Sequence, residues 1–276
     1  MLTPLLKTGK LQQDFEENGY VVVPLLDLTE VELLQKIFNK HLGGHAIDSF
    51  TSTNIINSKE WRIQVADEIK QILDSKLNAV FENTKFWNPA FLIKPTGQNT
   101  EFKLHQDWTF VDESNYFSGN IWIPLADTNE ANGTICVIPK SHYKHVKTLR
   151  SHTIPEIFRG REDVIKHLSI PVNLKAGEAI IFQHSLVHYS PSNTTDKVRV
   201  AVSCGFNSRG ATLLNYYKNS DTEVTLYAMP DNFVFDYGSV RDINGVPQNG
   251  IILSKSGYKP NPQLSDRELQ SFFGSR

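Results

Sequence analysis

Two residues of types that commonly bind metal ions, His105 and Asp107, are separated by a single residue in the segment FKLHQDW. The apolar residues around them predict a strand, in which residues i and i+2 point to the same face and lie about 7 Å apart. An imidazole and a carboxylate placed in this way can bind one ion. Because His-x-Asp also occurs by chance, the pair needs a third ligand before it indicates a metal site.

Candidates for the third ligand follow later in the chain, at His184 and His188. Two histidines and one carboxylate on one face of a metal leave other positions open, an arrangement typical of oxygen-activating iron(II). Arg199 begins a further predicted strand, and Ala201 and Ser203, which share its face, are small. A buried guanidinium in such open space needs an anionic partner, either a bound carboxylate or an acidic side chain of the protein.

The sequence periodicity from about residue 90 predicts the strands that would position these side chains. Two-residue alternation and turn residues indicate eight short strands. They are predicted at residues 91–94, 102–108, 119–125, 134–138, 170–174, 178–183, 186–188 and 198–206. Asn132 and Gly133 predict a hairpin turn between two of these strands, and residues 175–177 predict another turn. A short strand is also expected at residues 20–24.

Helices are predicted mainly in the first eighty residues. A capping box of Thr29 and Glu32 would begin one helix, and a stripe of apolar residues predicts a second at about residues 58–81. Ser265 and Glu268 indicate a short capped helix near the end of the chain. These helices would lie outside the predicted strands.

This order of elements predicts a mainly β fold with flanking α-helices. We expect a double-stranded β-helix, that is, a cupin-like jelly-roll barrel with the N-terminal helices packed outside. It would be a single domain over residues 1–276, with a helical layer at about 1–85, a barrel core at about 90–207 and a C-terminal extension at about 208–276. The segment 140–167 has no predicted element.

Composition and charge argue against several classes of protein. The chain is 39% hydrophobic, enough for a large core, and its formal charge of −2 gives no indication of a nucleic-acid or acidic-membrane partner, both of which favour a basic face. No apolar run reaches the roughly 20 residues that cross a bilayer, and the N-terminal residues lack the features of a secretory signal. Cys136 and Cys204 are expected as buried thiols in a reducing compartment. We therefore expect a cytoplasmic protein.

Three blocks of the sequence, FKLHQDW, NIWIPLADTNEANGTICVIPKSH and GEAIIFQHSLVHYSPSNTTDKVRVAVSCGF, resemble the phytanoyl-CoA dioxygenase family over roughly residues 19–206. In that family a distal histidine precedes an arginine by eleven residues, a spacing that His188 and Arg199 have and His184 does not. His184 is then a buried histidine of the barrel or an outer group of the site. The resemblance implies an iron(II) site with the ligands His105, Asp107 and His188.

The resemblance also implies the cosubstrates 2-oxoglutarate and O2, with ascorbate as a stimulant. Arg199 and Ser190 would hold the distal carboxylate of 2-oxoglutarate, Trp122 would lie near it, and Asn120 shares the strand face of Trp122. A lysine is expected to reach the cosubstrate as well: Lys94, with Lys103 and Gln98 as alternatives. The histidines outside the pattern are expected at the surface: His41, His45, His145, His152 and His167.

The activity implied is hydroxylation of an unactivated C–H bond in a small polar metabolite, an amino acid or a natural-product intermediate, with release of succinate and CO2. A CoA thioester is less favoured, because no segment marks a CoA site. Retention of Asp107 favours hydroxylation over halogenation, and desaturation or cyclisation is an alternative. A non-catalytic jelly-roll binding module is another, because fold does not fix function.

The charge of the segment 140–167 bears on the substrate. It contains seven Lys and Arg against three Asp and Glu, a local charge of +4. This charge suits either an anionic substrate or a solvated loop. The sequence carries no indication of the oligomeric state.

Overall fold

The computed structural model describes residues 2–45, 47–143, 148–236, 245–247 and 249–274. Its helices are α1 Gly9–Asn18, α2 Leu28–Leu42, α3 Lys59–Val80, α4 Asp163–Lys166 and α5 Asp266–Gly274. Its strands are β1 Tyr20–Pro24, β2 Thr51–Ser52, β3 Thr84–Lys94, β4 Phe102–His105, β5 Ser118–Pro124, β6 Ile135–Val137, β7 Ile170–Val172, β8 Glu178–Gln183, β9 His188–Ser190, β10 Arg199–Ser208, β11 Leu213–Lys218, β12 Glu223–Met229 and β13 Ile251–Gly257.

Two antiparallel sheets form the centre of the fold. The larger sheet has the strand order β1-β8-β5-β10-β3-β2, and the smaller sheet has the order β4-β9-β6-β7. Apolar side chains from both sheets meet in the layer between them, as in other jelly rolls. An observed strand overlaps each of the eight predicted from residue 90 onward, although β4 ends at His105 and β9 begins only at His188. The ten described strands of these two sheets form no continuous hydrogen-bonded barrel.

Helices cover the outer faces of both sheets. The helices α1–α3 pack on the larger sheet, where Leu34, Ile69 and Val202 belong to one buried cluster. The helices α4 and α5 pack on the smaller sheet, where Leu104 and Leu269 belong to another. The predicted layer of N-terminal helices outside the strands is therefore confirmed. No described helix is long and apolar enough to cross a membrane.

The chain after residue 208, for which the sequence predicts no strands, forms a third sheet with the order β11-β12-β13. Leu213 and Met229 of this sheet pack on Trp87 of β3, so the C-terminal extension continues the core beyond the larger sheet. The predicted capped helix is confirmed as α5, where the Ser265 amide donates to the Glu268 carboxylate at 2.7 Å.

The hairpin predicted at Asn132 and Gly133 is wrong. The strand before it, β5, pairs with β8 and β10 in the larger sheet, whereas β6 after it pairs with β7 and β9 in the smaller one. Gly133 does adopt a left-handed turn conformation, with φ 78°. A turn sequence thus predicts the local backbone correctly without determining which strands pair. The turn at residues 175–177 is confirmed, since Gly177 has φ 86°.

The capping box of α2 lies two residues before the predicted one. The Asp27 side chain accepts a hydrogen bond from the Glu30 amide at 3.0 Å, and the Glu30 carboxylate accepts one from the Asp27 amide at 2.9 Å. Thr29 already lies within the first helical turn, so it cannot be the cap. Two overlapping copies of the capping pattern occur here, and only the first has an extended residue at its start.

Asp27→Ala is expected to lower the free energy of unfolding by about 1 kcal/mol, because it removes the acceptor for the first helical turn. Thr29→Ala is the matched control and should change stability by less than about 0.5 kcal/mol. Urea denaturation followed by circular dichroism measures both variants. A larger loss for Thr29→Ala than for Asp27→Ala would contradict the observed cap.

Candidate metal and cosubstrate site

The smaller sheet brings the three predicted metal ligands together. His105 ends β4 and His188 begins β9, and the two residues are directly paired across these neighbouring strands. Asp107 follows two residues after His105. One ligand atom from each residue can be chosen so that all three lie within 4.8 Å of one another, and Nε2 of His105 is 3.6 Å from Oδ1 of Asp107. This separation allows a single metal ion to contact all three.

Both histidine rings are oriented by backbone carbonyls. Nδ1 of His105 lies 2.8 Å from the carbonyl oxygen of Lys103, and Nδ1 of His188 lies 2.9 Å from that of Leu186. Because a carbonyl oxygen only accepts, each Nδ1 carries a proton, and each Nε2 is the ring atom left for a metal ion. Burial lowers the pKa of His188 to about 4, so its ring is neutral, the form that binds metals.

Asp107 is held by an amide contact that the sequence does not predict. Nδ2 of Asn120 donates to Oδ2 of Asp107 at 2.8 Å, which leaves Oδ1 facing the histidines. Burial alone would raise the pKa of Asp107, but its contact with His105 and the nearby ring of His188 hold that pKa below its usual range. The carboxylate is therefore ionised. Asn120, predicted as a cosubstrate residue, thus contacts a metal ligand, and its place near the cosubstrate stays a prediction.

A cavity of about 360 Å³ opens beside these ligands. The predicted residues Ser190, Trp122 and Arg199 are in its wall, as are Asn120 and the three ligands. Further residues of the wall, which no feature of the sequence indicates, come from the segment around β2: Phe50, Thr51, Ser52 and Ile55. The cavity therefore joins the metal ligands of the smaller sheet to Arg199 on the larger one.

Arg199 is a buried cation without an acidic partner among the described residues. It is 3% exposed, and its Nε and Nη1 atoms have no hydrogen-bond partner. Its guanidinium lies 5.2 Å from the centre of the Trp122 ring. Burial lowers its pKa to about 9, so it is still charged at neutral pH. The internal ion pair that the sequence left open is absent from the described residues, and an anionic ligand in the cavity fits this group.

Comparison with known proteins agrees with this geometry. The family model described as phytanoyl-CoA dioxygenase (PhyH) matches residues 15–201, more than half of the chain. The chain belongs to the phytanoyl-CoA dioxygenase family. Phytanoyl-CoA dioxygenase domain-containing protein 1 from Danio rerio is 28% identical over 193 residues, which are 67% of this chain and 59% of the relative. The chain spans less than two thirds of the other curated relatives that it matches.

Two solved structures have the same fold as this phytanoyl-CoA dioxygenase family member. The non-heme alpha ketoglutarate dependent carbocyclase SnoK from nogalamycin biosynthesis is 20% identical with a TM-score of 0.56, over 76% of this chain and 89% of that one. The alpha ketoglutarate dependent epimerase SnoN is 16% identical with a TM-score of 0.52, over 93% and 94%. At such identities the likeness concerns the fold, and the reaction has to be argued from the site.

Lys94 does not reach the cavity of this family member, contrary to the sequence prediction. Its buried ammonium donates to the carbonyl oxygens of Thr100 at 2.7 Å, Ser190 at 3.1 Å and Pro191 at 2.7 Å. All three protons of the ammonium are thereby used. Lys103 and Gln98, the alternatives, are exposed and absent from the cavity wall. Lys94 instead holds the backbone that carries Ser190.

Lys94→Met is expected to lower the free energy of unfolding by about 3 kcal/mol, because three buried carbonyls lose their donor. The matched control is Lys103→Met, which removes the same charge from an exposed position and should change stability by less than about 0.5 kcal/mol. Thermal and urea denaturation of the three proteins measure the difference. Equal stability of the two variants would contradict the structural role of Lys94.

The other histidines of this family member are placed only partly as predicted. His184 is fully buried, with Nδ1 2.9 Å from Oγ of Ser118, which agrees with a barrel histidine outside the ligand set. The prediction that His41 lies at the surface is wrong, because its side chain is only 7% exposed and contacts Glu68 at 3.2 Å. His152 is half-buried against Trp108. His45 and His167 are exposed, and His145 lies outside the described residues.

Most of the cations in the described part of the basic segment 140–167 of this family member are paired. Four of its cations pair with acidic side chains from elsewhere in the chain. These pairs are Lys140–Glu17, Arg150–Glu113, Arg161–Asp266 and Lys166–Glu101. Lys144 and Lys147 lie outside the described residues. The charge excess seen in the sequence is thus largely balanced by the fold.

Proposed function

We propose that this protein is an iron(II)- and 2-oxoglutarate-dependent oxygenase that hydroxylates an unactivated C–H bond of a small polar metabolite. One oxygen atom of O2 would enter the product and the other would enter succinate, as 2-oxoglutarate loses CO2. The reaction thus converts the substrate C–H bond, 2-oxoglutarate and O2 into the hydroxylated substrate, succinate and CO2, with all atoms accounted for. Iron supplies the oxidising chemistry, while the protein binds, orients and excludes water.

The observation that carries this proposal is Arg199, a buried cation without an acidic partner in the described part of the chain, in the wall of the cavity that also contains the metal ligands. A metal site alone would suit many activities. An arginine next to it adds a bidentate site for a carboxylate, and a 2-oxo acid with a second carboxylate can reach both. Ser190 lies in the same wall and can donate its hydroxyl to that second carboxylate.

The chemistry of the ligand set supports iron(II). Two neutral imidazoles and one ionised carboxylate form the facial set that non-haem iron(II) oxygenases use, with positions left for cosubstrate and oxygen. Each ligand is oriented by a hydrogen bond from its other side, to Lys103, to Leu186 or from Asn120. Such outer contacts are typical of metal sites and strengthen them. In this scheme the protein keeps the ligands in place before the metal arrives.

The size and lining of the cavity support a small substrate. A volume of about 360 Å³ lies at the lower end for ligand pockets, and 2-oxoglutarate would occupy part of it. The wall is mostly apolar or aromatic and includes Phe50, Phe102 and Tyr189. By volume, a small metabolite such as an amino acid or a natural-product intermediate fits this space better than a CoA thioester, and Arg199 and Ser190 are polar groups of the wall.

The test is incubation of the purified protein with iron(II), ascorbate, 2-oxoglutarate and O2, with and without a pool of small metabolites. Iron-dependent succinate release and a product 16 Da heavier than its substrate are expected. A product 2 Da lighter would instead indicate desaturation or ring formation, an alternative that the carbocyclase of the same fold makes relevant. Metal binding without succinate, alone or with any metabolite, would favour a non-catalytic binding module.

A further inference from the structure

Arg150 is the member of the basic segment that the structure removes from solvent. It is 3% exposed, although it belongs to a stretch that the sequence presents as a charged loop. Five of its six hydrogen bonds run to residues 107–113, the stretch of chain that begins with Asp107 itself. The sixth runs to the carbonyl oxygen of Thr148. Arg150 is therefore bonded to the stretch of chain that carries the metal ligand Asp107.

The backbone of Asp107 is not fixed by either sheet. The strand predicted to extend to Trp108 ends at His105, so no ladder of strand hydrogen bonds contains Asp107. Nε of Arg150 donates to the carbonyl oxygen of Asp107 at 2.8 Å. Within a sheet, a neighbouring strand would bond to this carbonyl oxygen. Here the Arg150 side chain does so and thereby holds the peptide group of Asp107, from which its carboxylate side chain extends.

The guanidinium itself is oriented by Glu113. Nη1 donates to Oε2 at 3.2 Å, Nη2 pairs with Oε1, and this forked contact fixes the plane of the group. Two bonds with Thr109 add to it: the Thr109 amide donates to the Arg150 carbonyl at 3.0 Å, and the Arg150 amide donates to the side-chain Oγ1 of Thr109 at 3.1 Å. The two segments are thus joined along their length next to Asp107.

We propose that Arg150, oriented by Glu113, is a positioning residue for the metal ligand Asp107. The inference rests on the proposed metal site and adds a residue to it from outside the ligand-bearing strands. The Arg150 side chain does not touch the metal position. It acts through the peptide of Asp107, while Asn120 acts through the carboxylate.

The experiment compares Arg150→Met and Glu113→Gln with wild type by titration with Co(II), followed by the visible absorption of the bound ion. The expected result is Co(II) affinity lower by about 10- to 100-fold in Arg150→Met, the usual cost of removing an outer partner of a metal ligand. A smaller loss is expected in Glu113→Gln, in which the Arg150 side chain remains. Arg161→Met is the control, because it removes a cation of the same segment that is only partly buried and pairs with the exposed Asp266.

The melting temperature of the metal-free proteins separates positioning from stability. A lower melting temperature with wild-type Co(II) affinity and absorption would overturn the inference, because Arg150 would then only join two segments. If Arg150→Met does not fold, wild-type affinity in Glu113→Gln would overturn it equally. If neither the wild type nor Arg161→Met binds Co(II), the proposed metal site itself is contradicted. This outcome differs from those that contradict only the positioning role of Arg150.

Discussion

Asp107→Ala is expected to abolish iron-dependent formation of succinate from 2-oxoglutarate. The substitution removes the only carboxylate among the three ligands and leaves two neutral imidazoles, which bind iron(II) too weakly to hold it in place. We expect the rate of succinate release to fall by at least about 100-fold. Loss of an outer partner of a metal ligand already lowers metal affinity or activity by about 10- to 100-fold, and loss of the ligand itself should have a larger effect. Succinate release and metal content after dialysis measure the effect.

Asp48→Ala is the matched control for this prediction, since it removes an exposed carboxylate and should leave succinate release unchanged. The fold of Asp107→Ala should survive, because the ligand lies beyond the end of β4 and outside both sheets. Wild-type succinate release by a folded Asp107→Ala protein would refute the metal assignment.

Arg199→Met is expected to raise the apparent KM for 2-oxoglutarate by at least about 30-fold while iron binding stays near the wild-type level. Truncating one partner of a buried, hydrogen-bonded charge pair costs about 2–5 kcal/mol, and each 1.4 kcal/mol corresponds to about tenfold. The substitution should also leave the free protein as stable as wild type or more stable, because it removes a buried charge that has no acidic partner.

The opposite directions of these two effects make the prediction specific. A structural ion pair would show the reverse pattern, with loss of stability and an unchanged cosubstrate requirement. Arg159→Met is the control, since Arg159 is exposed. Initial rates against 2-oxoglutarate concentration, together with urea denaturation, measure both quantities. An unchanged requirement in Arg199→Met would mean that another group holds the cosubstrate.

The parts of the fold that depend on local patterns could be predicted from the sequence. Strand alternation placed His105 on the same side as Asp107, and the spacing to Arg199 separated His188 from His184. The first prediction used the backbone geometry of a strand, although β4 ends at His105, and the second used a spacing taken from the resemblance to the phytanoyl-CoA dioxygenase family. The identity of the pairing strands does not, which is why the turn at Gly133 is correct and the hairpin is wrong.

The contacts that cross the fold could not be predicted. Asn120 is thirteen residues from Asp107 in the sequence and contacts it only because β5 passes the site. Lys94 is long enough to reach the cavity, yet three carbonyls in another direction bind it. In the C-terminal sheet, β13 escaped prediction because all of it is exposed, so its apolar residues do not alternate with polar ones.

The division of the site between two sheets has a thermodynamic consequence. The metal ligands and Ser190 belong to the smaller sheet or to the chain that follows β4, whereas Arg199 and Trp122 belong to the larger one. A cosubstrate that contacts both sheets binds well only when the two sheets are the right distance apart, and the apolar packing between them sets this distance. Its affinity is then linked to the apolar layer around Val137 and Ile180, and conversely its binding favours the packed state of that layer. Substitutions in this layer can therefore change the cosubstrate requirement without touching the cosubstrate.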